Sequence, residues 1–262
     1  MSVGVALVSG ASSGIGREFC NVLAARGWNL ILVARREERL RIAKQELEER
    51  YSIDVQLLCA DLLLAADRAR VVAAVEGVDV RFVVNNAGLQ SRGGFENNSS
   101  AAADRLVTVN VAALTQLSHA AISRFRKLGG PCHLLNIGSV NSFIASGDAA
   151  VYSGTKAFAK FFTLALSEEL RGTPISCTCF CPGGTESEML ATTGMQVKPA
   201  AKKFLMSAER AAREGIDAAL AGRRIAVPGL TNRLSVLLSR LLGDRLATRI
   251  ATALLKRTME RI

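Results

Sequence analysis

Val3-Gly4-Val5-Ala6-Leu7-Val8-Ser9-Gly10-Ala11-Ser12-Ser13-Gly14-Ile15-Gly16 is the stretch whose reading decides the architecture. Its first six residues, up to Ser9, are apolar without polar alternation, as suits a strand buried on both faces of a parallel sheet. The glycines that follow make a tight turn, and residues 15–26 read as a helix stopped by Gly27. At a helix N-terminus behind such a turn, free N–H groups and the helix dipole attract an anion.

The same unit repeats outward from there. Strands are expected over 30–34, 54–60, 81–84, 132–137, 174–181 and 224–227, with helices over 37–51, 65–76, 100–128, from Tyr152 to about 171, and one ending at 221. Strands alternating with helices imply right-handed crossovers and a doubly wound parallel sheet of Rossmann type, an α/β fold. Ligands gather at the carboxyl ends of such strands, where Gly10, Ala34, Asp61, Asn85, Ser139 and Pro182 all fall. One domain is expected over 1–229, with 230–262 as its C-terminal helical extension.

Composition agrees with one sizeable core, since 49% of the 262 residues are apolar. The charge-free run 128–147 approaches the length of a membrane span, but Gly, Pro, Asn and Ser interrupt it throughout. No basic leader precedes the first strand, so a soluble, cytoplasmic chain is expected. Six cysteines without a C-x-x-C pair suit a reducing compartment. Cys177, Cys179 and Cys181 alternate and share one side of their strand, where thiols pack as small hydrophobes. Neither His119 nor His133 belongs to a cluster with metal-ligand spacing, and no metal is expected.

The net charge of +10 is concentrated late: from Lys202 onward 13 Lys/Arg face 5 Asp/Glu. A nucleic-acid reading lacks interleaved aromatics, because none occurs from Leu205 on. Leu230, Leu234, Leu237, Leu238, Leu241 and Leu242 fall at helical spacing, and Gly243-Asp244 opens a second helix bearing Leu246, Ile250 and Leu254. Such amphipathic helices pack on the subunit or a neighbour, or make peripheral contact with a membrane.

Tyr152 and Lys156 stand four apart, thirteen residues beyond Ser139. On a helix they project from one face, so the ammonium lies near the phenol. A phenol has a reference pKa of about 10, which a nearby cation lowers. Such a tyrosine exchanges a proton with an alcohol or ketone oxygen.

With these motifs in order, residues 3–227 closely resemble the short-chain dehydrogenase/reductase family. The likeness rests on Ser9-Gly10-Ala11-Ser12-Ser13-Gly14-Ile15-Gly16 for the family's T-G-x-x-x-G-x-G turn, Asn85-Asn86-Ala87-Gly88, Asn110, Ser139, Tyr152 with Lys156, and Pro182-Gly183. Ser9 departs from the usual Thr and keeps its hydroxyl. Ser187 replaces the usual Thr that contacts the nicotinamide carboxamide, with Thr185 as the neighbouring alternative.

The resemblance implies a dinucleotide-dependent oxidoreductase with Tyr152 as general acid in reduction and general base in oxidation. Lys156 would lower the phenol's pKa and bond the nicotinamide ribose, Ser139 would hold the substrate oxygen, and Asn110 would anchor a water. Duller roles exist for three of these: Ser139 as a turn cap, Asn110 as a repair to a helix kink, Lys156 as a surface charge. The implied cofactor contacts are Gly10, Ser12, Ser13, Gly14 and Ile15 on the pyrophosphate side, and Asp61, Leu62, Asn85, Asn86, Ala87 and Gly88 on the adenosine side. Tyr152, Lys156, Pro182, Gly183, Thr185 and Ser187 are implied on the nicotinamide side. For Asn85 a structural role weighs equally.

After the second strand, Ala34-Arg35-Arg36 offers no carboxylate for ribose hydroxyls. Arg35 presents a planar fork suited to a 2′-phosphate, and Arg36 or Arg39 adds charge, so NADP(H) is expected over NAD(H). Substrate choice is expected from 140–143 and 183–206, where Phe143, Met189, Leu190 and Met195 either line an apolar pocket or pack their own loop. The expected substrate is a lipophilic ketone, aldehyde or ketoacyl compound, and the expected assembly a homodimer or homotetramer. The competing reading is a catalytically silent NADP(H)-binding regulatory or interaction protein.

Overall fold

The computed structural model describes residues 3–186, 188–189, 193 and 195–261. The chain runs β1 (Val5–Ser9), α1 (Gly14–Ala24), β2 (Asn29–Ala34), α2 (Glu37–Arg50), β3 (Val55–Cys59), α3 (Ala65–Gly77) and β4 (Val80–Asn85). After α4 (Ser100–Val107), a π-helical turn (Thr108–Ala113) and α5 (Leu114–Leu128), β5 (Cys132–Ile137) leads to α6 (Ala150–Glu169) and β6 (Ile175–Phe180). Then come β7 (Met195–Val197), α7 (Pro199–Lys202), α8 (Ala208–Leu220), β8 (Ile225–Ala226), α9 (Leu230–Thr258) and β9 (Met259–Arg261).

Among the described residues the central sheet has seven parallel strands in the order β3-β2-β1-β4-β5-β6-β8. The order reverses direction between β1 and β4, which opens the crevice above their carboxyl ends. The expected doubly wound sheet is present. Its unalternating strands are buried on both faces because helices cover both: Phe19, Leu23, Leu40 and Ile216 pack one side, and Val71, Leu117 and Phe125 the other.

Two elements differ from expectation. The helix expected over 100–128 is not uniform, since its middle opens into the π-helical turn that carries Asn110. By length and hydropathy that run could cross a membrane, yet half of its apolar window is buried in the fold. The second difference is a two-stranded antiparallel sheet, in which Met195, Gln196 and Val197 pair with Arg261, Glu260 and Met259. Short strands some sixty residues apart leave no periodic mark. The tail does divide as expected: Gly243, at φ 71° and ψ 160°, breaks α9 into segments 230–242 and 244–258.

Candidate active site

The glycine turn is held by backbone approach that no side chain could share. A Cβ on Gly16 would lie 2.1 Å from the Gly10 carbonyl oxygen and 2.4 Å from Asn86 Nδ2, and Gly10 sits at φ 71°. Ser9 ties this turn to the next motif. Its hydroxyl accepts from the N–H groups of Asn86 (3.1 Å) and Ala87 (3.0 Å) and donates to the Val84 carbonyl (3.3 Å), while Asn86 Nδ2 donates to the Ser9 carbonyl at 2.9 Å. The result is a bare-backbone cradle at the start of α1, the form a pyrophosphate requires.

Beside that cradle stand the cations expected to read a phosphate. Arg36 donates to the hydroxyls of Ser12 (3.0 Å) and Ser13 (2.8 Å), which brings its charge to the turn itself. Arg35 is exposed and lies 4.0 Å from the Asp61 carboxylate. Sequence reasoning missed Glu188, whose carboxylate accepts from Arg36 (2.9 Å) and twice from Arg39 (2.7 and 2.8 Å). The two guanidinium groups hold Glu188 below the usual carboxylate range.

The adenosine-side candidates divide in two. Asp61 turns its carboxylate to the Leu63 N–H at 3.0 Å and towards Arg35, at the mouth of the crevice. Leu62, by contrast, buries its side chain in the core, leaving its backbone to line the edge. Asn85 points into the interior: its amide donates to Asn136 Oδ1 (2.8 Å) and the Ser118 hydroxyl (3.1 Å), and Asn136 donates onward to Thr163. This network stitches β4 to β5, α5 and α6. Asn86, Ala87 and Gly88 follow at the carboxyl end of β4.

Gly88 brings that motif to the catalytic candidates, since a Cβ there would meet Asn110 Oδ1 at 3.4 Å and Lys156 Nζ at 3.7 Å. Asn110 is buried. Its Oδ1 accepts from Leu89 N–H (2.8 Å), and its Nδ2 donates to the Leu89 carbonyl (2.9 Å) and Thr155 Oγ1 (3.1 Å). The side chain thus clamps the loop after β4 to the π-helical turn and to α6. The clamp sits where the helix opens, and single π-helical turns of this kind are frequent at functional sites.

Ser139, Tyr152 and Lys156 come together, all buried. Ser139 caps the turn after β5, accepting from Asn141 N–H at 3.1 Å, and its side chain lies near enough to Tyr152 to oppose the rise of the phenol's pKa. The turn-capping role of Ser139 is thus present in the structure. Lys156 Nζ donates to the Ile137 carbonyl at 2.7 Å, so it is no surface charge. Ser142, expected beside the substrate, instead turns inward: its hydroxyl accepts from Ser139 N–H (3.1 Å) and donates to the Lys156 carbonyl (2.7 Å). It locks the Ser139 turn to the helix carrying tyrosine and lysine.

The expected electrostatics need correction. Burial raises the Tyr152 pKa above its ordinary value, opposed by the Ser139 hydrogen bond and the field of Arg92. Lys156 Nζ lies 5.8 Å from the centre of the Tyr152 ring, and burial of the phenol outweighs the groups that lower its pKa. Burial pulls Lys156 itself down to about 8. The phenol is therefore a fully protonated acid near neutrality. Arg92 is a second residue sequence reasoning missed: its side chain is only 5% exposed and pairs with Asp148 at 3.3 Å. Nothing in its sequence neighbourhood marks it.

The side of the site beyond Ser139 is walled by late parts of the chain. Pro182 accepts from Val140 N–H at 2.9 Å, and Thr185 bridges to Met206. Asn232 of α9 packs so closely on Gly183 that a Cβ would come within 2.2 Å of its Oδ1. Thr252 Oγ1 accepts from Gly147 N–H at 2.9 Å, and Phe143 lies between Lys160 and Arg240. Ser187 and Leu190 lie outside the described residues. The three strand cysteines are buried as core, with the Sγ atoms of Cys179 and Cys181 3.5 Å apart. His119 is exposed and His133 bonds Ser176, both away from this chemistry.

A family model described as short chain dehydrogenase matches residues 4–198. The sulfoacetaldehyde reductase of Chromohalobacter salexigens is 34% identical over 194 residues, 71% of this chain and 75% of that protein. A short-chain dehydrogenase from Sphingobium yanoikuyae, solved in complex with NADPH, is 30% identical with a TM-score of 0.83, covering 92% of this chain and 94% of that one. A short-chain dehydrogenase/reductase from Burkholderia phymatum in complex with NAD has a TM-score of 0.82 at 20% identity, covering 93% and 96%. At that identity the likeness concerns the fold alone.

Proposed function

The chain belongs to the short-chain dehydrogenase/reductase family and is an oxidoreductase of carbonyl or alcohol groups, and from that premise we propose that it reduces a lipophilic carbonyl compound with NADPH. The single observation that carries the reading is the buried Tyr152, kept protonated by burial, with the buried Ser139 and Lys156 gathered around it.

The cradle of Gly10 to Gly16, left bare because a Cβ would collide, fits a pyrophosphate. Arg35, Arg36 and Arg39 fit a 2′-phosphate, and no carboxylate stands at the end of β2 for unphosphorylated ribose. Asp61 and the backbone of Leu62 border the adenine, Asn86 to Gly88 the adenosine, and Pro182, Gly183 and Thr185 or Ser187 the nicotinamide. Bound NADPH supplies the hydride. Tyr152 gives its hydroxyl proton to the carbonyl oxygen as that oxygen gains charge. Ser139 holds the same oxygen through its hydroxyl. Lys156, cationic below about 8, stabilises the phenolate left behind and reaches the ribose. Asn110 keeps the Leu89 loop and α6 in register, and the opened turn around it is where a water would connect Lys156 to solvent.

Phe143, Met189 and Met195 support an apolar substrate, as ketone, aldehyde or ketoacyl group. A homodimer or homotetramer through α5 and α6 is supported by Phe158 and Phe161, exposed on α6. Free thiols support a cytoplasmic setting. The test is NADPH oxidation over a panel of bulky ketones and aldehydes, with Tyr152→Phe as control. Turnover of at least one carbonyl with NADPH, reduced by about 10² or more in the variant, is expected. Equal efficiency with NADH, or substantial turnover by Tyr152→Phe, overturns the reading.

A further inference from the structure

The two segments of α9 are inside out for a soluble subunit. The side chains turned to the protein are small or polar, with Val236, Ser239 and Ala247 buried and Asn232 half-buried. The large apolar ones face away: Leu230 is 80% exposed and Leu241 76%, and Leu234, Leu237, Ile250 and Leu254 are exposed with them. Contiguous exposed apolar surface of this kind marks an interaction face.

Charge identifies what covers it. Across Leu230–Thr258 there are six Lys/Arg and one acid, Asp244. Arg240, Arg245, Arg249, Lys256 and Arg257 are all exposed, and none has a salt bridge among the described residues. A second copy docked face to face would bring this unpaired basic excess against itself, while anionic headgroups would neutralise it. Nor can the segments cross a bilayer: 13 and 15 residues, divided by Gly243, span about 20 Å each against a hydrocarbon core of about 30 Å. Short, basic, leucine-faced helices lie in the interface plane.

We propose that segments 230–242 and 244–258 are a monotopic docking surface for an anionic lipid bilayer. Leucines enter the acyl boundary while the arginines and lysine meet headgroup phosphates and carboxylates. The same helices touch the substrate side of the site, through Thr252 on Gly147, Arg240 over Phe143 and Asn232 on Gly183. Docking therefore presents the substrate entrance to the membrane, a consequence that rests on the lipophilic-carbonyl reading, whereas the docking itself does not.

The test is co-flotation of the full-length chain with vesicles of phosphatidylcholine alone or mixed with phosphatidylserine, at low and high salt. Recovery with the anionic vesicles at low salt, about tenfold or more above neutral vesicles and lost at high salt, is expected. Leu237→Glu with Leu241→Glu should abolish recovery while leaving the melting temperature and NADPH binding unchanged. Should that pair fail to fold, Arg245→Gln with Arg249→Gln reads the same property and should weaken recovery several-fold. Absence of flotation with anionic vesicles, or equal flotation with neutral ones, overturns the proposal. So does sedimentation showing a concentration-dependent oligomer that Leu241→Glu dissolves, since a second copy would then cover the face. Because flotation needs no turnover, its failure stays distinct from failure of the reductase reading.

Discussion

Two ionisable groups set the pH behaviour at the scale of single residues. Tyr152 is raised by burial and stays protonated across neutrality, so it does not limit reduction there. Lys156, depressed to about 8, is cationic below that value and neutral above it. The kcat/KM for reduction, measured at low NADPH so that it reports the free protein, should be flat from about 6 to 7.5 and fall as pH rises through about 8. Lys156→Arg, which keeps its charge, should carry any residual activity past that point without the fall. Glu188 gives a second residue-scale expectation. Its carboxylate holds Arg36 and Arg39, the cations proposed for a 2′-phosphate, so on that reading phosphate binding competes with it. Glu188→Gln should tighten NADPH by about three- to tenfold and leave NADH unchanged, as read by fluorescence titration. Weaker NADPH binding would mean that Glu188 positions the arginines instead.

At the scale of elements, the π-helical turn and the loop after β4 depend on one amide. Asn110→Ala removes the bonds to the Leu89 N–H and carbonyl in a buried place, a loss of about 1–3 kcal/mol. Thermal unfolding should register it as a drop of several degrees, together with lowered kcat. Asn110 stood out in the sequence, but its clamp was not legible there, since a π-turn has no periodicity of its own. Ser142 makes the same point from the other side. Its position after Ser139 suggested substrate contact, whereas the tight turn directs its hydroxyl inward to the Lys156 carbonyl. Side-chain direction in a turn follows from local backbone, which composition does not carry.

For the whole molecule, residues 259–261 close back on the segment beyond Pro182. The pairing of Met259–Arg261 with Met195–Val197 and the Lys198 N–H bond to the Thr258 carbonyl at 2.9 Å fasten the segment beyond Pro182 to the end of the chain. Removing residues 259–262 should raise KM for the carbonyl substrate about three- to tenfold, leave NADPH affinity within about twofold and cost little overall stability. Steady-state kinetics beside cofactor titration separates these outcomes, and an unchanged KM would show the fastening to be idle.

By itself the sequence determined the order of strands and helices, the glycine turn, the meeting of Ser139, Tyr152 and Lys156, and the arginines after β2. Those features follow from backbone sterics, short-range periodicity and the carboxyl-end rule, all of which act locally or through the sheet. Only the tertiary structure decided that Asn85 serves the core, that burial rather than Lys156 dominates the Tyr152 phenol, that Glu188 meets Arg36 and Arg39, and that the tail leucines face outward. Each of these depends on which distant groups share a low-dielectric interior or an exposed face, and such partnerships leave no mark in residue spacing.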